Sequence, residues 1–339
     1  MGINLRYSPL EYNKQNESFD FGGRLVTNTG GAGVYGKTWY VCGNHGSNGN
    51  DGSTPHKAFA TIQRAIDVHT AYRAAKNIGY KWGNRIIVLP AVYSEALTGT
   101  LEGVSLQAVG GNWGTGPNAV VVYPASGSPL YNITTNGCEI SGFTFVSPST
   151  TTTLPAAHFA NMRWTTFRNN ALIGGAAACI TGLQIGNEDA VATAAYCDFN
   201  HICDNYIGTV FGTSYEFQYG IKIGRVDYDA GCSVKHCHST VIENNHIFAA
   251  VTGIYLGVYG GSANGTIIKN NCITSWEGGA DEGCSDCAIE AYAATNAMVV
   301  NNFCATAAAA AAIKGFSAGH VLDNMTSQNG EEKREGALV

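Results

Sequence analysis

Glu243-Asn-Asn-His-Ile247, followed closely by Gly253-Ile-Tyr-Leu-Gly257, is the stretch on which the fold turns. Both halves recur along the chain. The glycine phrase (a small residue, an apolar one, a variable one and usually another apolar) returns as Gly182-Leu-Gln-Ile-Gly186, Gly220-Ile-Lys-Ile-Gly224, Ala288-Ile-Glu-Ala-Tyr292 and Ala312-Ile-Lys-Gly-Phe316. The asparagine phrase returns as Arg168-Asn-Asn-Ala-Leu-Ile173, Asp204-Asn-Tyr-Ile207, Lys269-Asn-Asn-Cys-Ile273, Asn301-Asn-Phe-Cys304 and Asp323-Asn-Met325. A two-part unit repeated every few tens of residues is a solenoid signature, because each repeat buries its apolar face only by stacking on its neighbours. Each phrase predicts one short strand, and the chain an all-β solenoid.

Stacking assigns roles to the repeated positions. Equivalent residues of adjacent coils lie about 4.8 Å apart, so amides in one column can hydrogen-bond up the stack. Asn170, Asn205, Asn245, Asn271, Asn302 and Asn324 are therefore predicted to form a structural ladder. Alternation within the glycine phrase turns Leu183, Ile185, Ile221, Ile223, Ile254, Leu256, Ile289 and Ile313 inward. It leaves Gln184, Lys222, Tyr255, Glu290 and Lys314 outward in one row, with Lys222 and Glu290 about 10 Å apart. Such a row, polar with an aromatic at its centre, is the candidate glycan-binding surface. The plainer reading is a solvated sheet face.

Composition narrows the partners. Charged residues are 13% of the 339, the net charge is −6, and no Lys/Arg cluster exists to drive counterion release, so nucleic acid is not an expected partner. Met1 to Tyr40 shows no charged segment leading into an apolar run, and no stretch approaches the roughly 18 apolar residues that span a bilayer, so no membrane partner or secretion leader is expected. The 11 cysteines are expected to be thiols of a reducing compartment, with Cys272 and Cys304 as small buried hydrophobes. Cys284-Ser-Asp-Cys287 and the run Cys232 to His238 contain zinc-donor types. A single CxxC with a loosely spaced second cluster predicts packing rather than a metal centre.

Residues 1–36 lack the repeat and are predicted to be an attachment arm; residues 37–324 form the coil, and residues 325–339, with Glu331 to Glu335, a charged C-terminal tail. The coil begins with the strand Thr38-Trp-Tyr-Val-Cys-Gly43 and a Gly/Asn/Asp loop. Next comes a helix over about 57–76, started by Thr54-Pro55 and spaced by Phe59, Ile62, Ala65 and Ile66, and then the strand Arg85-Ile-Ile-Val-Leu-Pro90. A helix laid across the first coil would cover its open edge. The alanine tract Thr306 to Ile313 is predicted as a tight coil rather than a helix. The order from Lys37 to Pro90 resembles the opening coil of the pectate-lyase-like right-handed parallel β-helix superfamily, over roughly residues 37–324. The resemblance implies a right-handed parallel β-helix with an N-terminal capping helix. It implies less about activity, since the fold serves lyases, hydrolases, epimerases, and the spikes and decoration proteins of tailed phages.

Two functional readings follow. Glycoside hydrolysis needs two carboxylates, and β-elimination needs a base and a neutralised uronate, often through calcium. The outward row holds one acid, Glu290; nearby loops add Arg225, Asp227 and Asp229, and Asp281, Glu282 and Asp286. A lyase would use Asp227, Asp229 and Glu290 as acids or Ca2+ ligands, with Lys222 or Arg225 as base. The superfamily's polygalacturonan-opening enzymes carry runs such as Gly-His-Gly and Arg-Ile-Lys. Here Gly319-His320 is followed by Val321, and the Ile-Lys pairs at Ile221 and Ile313 lack the arginine. The leading expectation is therefore a virion structural protein of a tailed phage, a capsid decoration or tail-spike-like β-helix that binds host-surface glycan. By resemblance it would be a homotrimer; the missing secretion leader fits assembly in the host cytoplasm, the polar ends fit attachment to capsid or tail proteins through residues 1–36 and the tail, and no cofactor is expected. The alternative is an extracellular polysaccharide lyase or glycoside hydrolase acting on an acidic polysaccharide.

Overall fold

Ten strands of the computed structural model, from Thr38–Val41 through Asn84–Val88, His201–Cys203 and Val241–Glu243 to Val321–Leu322, pair in parallel in chain order. The structure describes residues 11–13, 18–20, 25–27, 36–76, 83–110, 118–148, 154–175, 180–186, 195–209, 217–224, 234–257, 263–275, 284–294, 296–306, 312–316, 321–328 and 331–335. The asparagine phrases run into a second parallel face, for example Ala171–Ile173, Tyr206–Gly208 and Cys272–Thr274. The glycine phrases form a third, including Thr181–Ile185, Phe217–Gly224, His246–Gly257 and Cys287–Ala294. The chain is a parallel β-helix. No helix among the described residues is long and apolar enough to cross a membrane.

The three faces share one apolar interior. Phe167, Ile202, Ile242 and Ile268 fill it from the first face, Leu172, Ile207, Ile247 and Ile273 from the second, and Leu183, Ile221, Ile254 and Ile289 from the third, all fully buried. Cys304 joins them, whereas Cys272, on the alternate position of its strand, is half-buried. The described cysteines form no disulfide with one another. The tract read as a tight alanine coil falls largely on residues 307–311, outside the described residues.

Between the first two faces the chain turns through a left-handed residue followed by a buried asparagine. The left-handed member is the residue before the ladder: Asn169, Asp204, Asn244, Asn270, Asn301 and Asp323, with φ between 50° and 56°. Asn and Asp tolerate this region because their short side chains bond locally. The second member then reaches both ways along the stack. Asn245 Oδ1 accepts the backbone N–H of Asn205 at 3.1 Å, and Asn245 Nδ2 donates to the Ile202 carbonyl at 2.9 Å. The same exchange runs through Asn170, Asn271, Asn302 and Asn324.

At the start of each glycine phrase the interior has no space for a side chain. A Cβ on Gly182 would lie 2.5 Å from Ile207 Cγ2, one on Gly220 2.2 Å from Ile247 Cγ2, and one on Gly253 2.1 Å from Ile273 Cγ2. In the following coil Cys304 stands where Ile273 did, and there the phrase opens on Ala288 instead of glycine. The small residue thus grows by a methyl where the facing isoleucine shrinks.

Helix α1 (Ile62–Lys76) packs over Thr38–Val41, Asn84–Val88 and Thr100–Glu102 with Ile62, Ala65, Ile66 and His69 buried. It starts later than the Thr54-Pro55 signal suggests; Pro55–Lys57 is a separate 3-10 turn. The reason is tertiary: the first helical N–H groups, of Ile62 and Gln63, donate to the two oxygens of Glu95 at 2.7 and 2.9 Å, and a carboxylate at a helix N-terminus fixes where the helix begins. His69 Nε2 donates to the Glu102 carbonyl at 3.2 Å, and burial holds its pKa down at about 4, so it stays neutral. At the other end Asn324–Gln328 continues the coil into the segment read as tail, and Glu331–Glu335 folds back antiparallel against it. Within residues 1–36, Glu11–Asn13, Ser18–Asp20 and Leu25–Thr27 form an antiparallel three-stranded sheet.

The size exchange in the glycine column is testable by denaturant unfolding. Gly253→Ala is expected to lose about 1–3 kcal/mol through overpacking. Adding Ile273→Cys should recover part of that loss, with a favourable coupling of about 1 kcal/mol. Strictly additive losses would contradict the packing argument.

Candidate functional site

The outward row of the third face exists, with each residue level with its neighbour: Gln184 with Lys222, Lys222 with Tyr255, Tyr255 with Glu290, and Glu290 with Lys314. It also extends one coil earlier, to His158, which pairs with Gln184 and lies 5.4 Å, ring to ring, from Tyr131. The sequence carried the signal for His158, since Ala156-Ala-His-Phe-Ala160 fits the small-apolar-variable-apolar template. It passes unnoticed because the turn before it uses Gly142-Phe143 in place of an asparagine pair, with Phe143 N–H donating to Asn170 Oδ1 at 3.1 Å.

The row is neither solvated nor an open groove over most of its length. His158, Gln184, Lys222 and Tyr255 are 8%, 2%, 4% and 4% exposed, a correction to both sequence readings of this face. Rungs only about 4.8 Å apart let long side chains lie along the sheet and on one another. Gln184 Nε2 turns down to the carbonyls of Gly186 and Gly224 at 3.2 and 3.1 Å. The Lys222 ammonium lies 5.0 Å from the Tyr219 ring centre, and Tyr219 meets Tyr255 edge to face at 6.2 Å. A cation over an aromatic face, away from water, is a favourable contact in its own right. Lys222 is thereby packed along the face rather than projecting from it. Arg225, Asp227 and Asp229, its proposed partners in a lyase, lie outside the described residues.

At the far end the row opens and gathers charge. Asp286, read in the sequence only as a loop acid, comes to Glu290 with Cys287 between them: one donor atom from each lies within 4.8 Å of the others. Lys314 Nζ holds Asp286 at 2.5 Å, which raises the lysine's pKa and keeps it cationic. The Cys287 thiol reaches Glu290 at 3.6 Å, and burial, reinforced by the charges of Glu290 and Asp286, pushes its pKa far above the usual thiol range. This sulfur is a protonated S–H, not a nucleophile. The three donors could share a divalent metal only by losing that proton. Cys284 is not a member of this group; its N–H bonds the Ala305 carbonyl at 3.0 Å and its backbone bridges to Thr306.

No family model matches the chain, and no curated protein matches it. Among solved structures it is similar to the GH136 lacto-N-biosidase from Eubacterium ramulus. The selenomethionine derivative aligns with 86% of this chain and 68% of that chain at 10% identity and a TM-score of 0.32. The native protein aligns with 84% and 67% at 11% identity and a TM-score of 0.28. At these values the likeness carries no argument about activity or substrate.

The state of Cys287 can be read by alkylation with iodoacetamide followed by mass spectrometry. Native Cys287 is expected to react about 100-fold or more slowly than a free thiol at pH 8. Labelling at the rate of an exposed cysteine would show that the Asp286, Glu290 and Lys314 cluster is arranged differently.

Proposed function

We propose that this chain is a structural β-helix of a tailed-phage virion, a capsid decoration or tail-spike-like component that displays its surface to host glycan without cleaving it. The observation that carries the non-catalytic part is the burial of the outward row. Gln184, Lys222 and Tyr255 are packed on their own neighbours, and a polymer lying along the face would have to displace them. The virion part rests on residues 1–36, which lack the repeat and read as an attachment arm, and on the departure of the coil from the superfamily's enzyme motifs. On this reading residues 1–36 attach the protein to capsid or tail, copies of the chain associate as a homotrimer, and no cofactor, nucleic acid or membrane is involved.

A second reading is favoured by one observation. Asp286 and Glu290 stand with carboxylate oxygens within 4.8 Å at the exposed end of the row, near the roughly 5 Å separation of retaining glycosidase pairs. Against it, Lys314 is already bonded to Asp286, and Cys287 lies against both acids.

Incubation with acidic and neutral polysaccharides separates the two. The structural reading expects no unsaturated or reducing ends and a trimeric mass by light scattering. Cleavage that Glu290→Gln or Asp286→Asn abolishes would overturn it in favour of the enzyme.

A further inference from the structure

One turn of the coil repeats in a conformation that favours glycine. Gly103, Gly137, Trp164, Phe199, Ser239, Gly265 and Asn296 all have φ between 45° and 71°. They stack in register: the N–H of Trp164 donates to the Asp198 carbonyl, that of Phe199 to the His238 carbonyl, and that of Gly137 to the Arg163 carbonyl. Glycine, asparagine and serine are ordinary choices for such a turn; a bulky aromatic there is an outlier held against backbone strain. Two consecutive coils nonetheless place Trp164 and Phe199 in it.

Burial does not explain that choice. Trp164 and Phe199 are 48% and 50% exposed, with rings stacked at 5.5 Å and planes 10° apart. A polar rail runs beside them, formed by the residue preceding each aromatic. Arg163 lies over the Tyr196 ring at 3.8 Å and approaches Asp198 at 3.6 Å, and Asp198 in turn accepts the His238 N–H at 3.1 Å. Arg163 Nε has no hydrogen-bond acceptor among the described residues. Strain retained at an exposed position is a pointer to use.

We infer that the Trp164–Phe199 stack, with Arg163 and Asp198 beside it, is a binding site for a neutral hexopyranose glycan. The C–H face of a pyranose ring packs on an aromatic plane while its hydroxyls need planar hydrogen-bonding groups alongside; the half-exposed stack supplies the first and the part-exposed Arg163 guanidinium, held by the buried Asp198, the second. Because Asp198 already offsets the charge of Arg163, the site suits a neutral sugar better than a uronate or phosphate. The aromatics are anchored to two adjacent coils, so the platform is rigid before the ligand arrives, which limits the entropy lost on binding. The inference deepens the proposed function by giving its glycan contact a place, and it rests on the chain meeting a glycan. Its test reads Trp164 and Phe199 rather than the acids of the row, so the two fail separately.

The experiment is a printed array of hexopyranose glycans, probed with the wild-type protein and with Trp164→Gly/Phe199→Ser, which installs residues that other coils carry at the same turn. Tyr123→Ser, at another exposed aromatic, serves as control. Wild type and control are expected to bind, and the double variant to bind at least tenfold more weakly. Its melting temperature should be unchanged or higher, because the strained turns are relieved, and its mass should be unchanged. Retained binding by the double variant, or no binding by the wild type, overturns the inference. A changed oligomeric mass would assign the stack to a contact between copies and overturn it equally.

Discussion

A buried column of amides holds this structure in register. Each ladder asparagine presents an oxygen to an N–H of the preceding coil and donates an N–H to a carbonyl of that coil, which pairs backbone groups the turn would otherwise leave open. An aliphatic residue of the same size would fill the space and leave those backbone groups unpaired. The column therefore fixes how coils align as well as holding them together. Side chains alternate along a strand with period two, so a slip of one residue would send Lys222 and Glu290 into the core and Ile221 and Ile289 into the outward row.

With register fixed, the chemistry of the third face is settled by proximity. Long side chains on successive rungs have little room except along the sheet: Gln184 turns to the Gly186 and Gly224 carbonyls, and Lys222, Tyr219 and Tyr255 pack on one another. What they bond internally they do not offer to a ligand. Among the described residues of this face, the chemistry that remains exposed lies at its margins. At the end of the row the acids of Asp286 and Glu290 meet Lys314, and at the corner between faces Trp164 and Phe199 stand half in solvent. Among the described residues the third face is thus packed over most of its length, with its charge gathered at one end.

What could be read from the sequence was whatever the backbone demands of particular residue types. Glycine at positions 182, 220 and 253 and asparagine at 170, 205, 245, 271, 302 and 324 are dictated by local geometry, so the repeat, the solenoid and the outward row were legible from them. Contacts made across the fold were not. The start of α1 depends on Glu95, far along the chain from Ile62, and the burial of Lys222 depends on how Tyr219 and Tyr255 lie over the sheet. Asp286 was legible as a loop acid near the row, but nothing in its own neighbourhood predicts the bond to Lys314. Trp164 and Phe199 were invisible for the opposite reason: turn chemistry predicts glycine or asparagine where they stand.

The closed row is the central claim, and amine labelling of the native protein tests it most directly. Under brief acetylation read by mass spectrometry, Lys57 and Lys76, both exposed, should label readily, while Lys222, 4% exposed, should stay unmodified until the protein unfolds. Labelling of Lys222 at the rate of Lys57 would mean that the face is open to solvent, and would contradict the account.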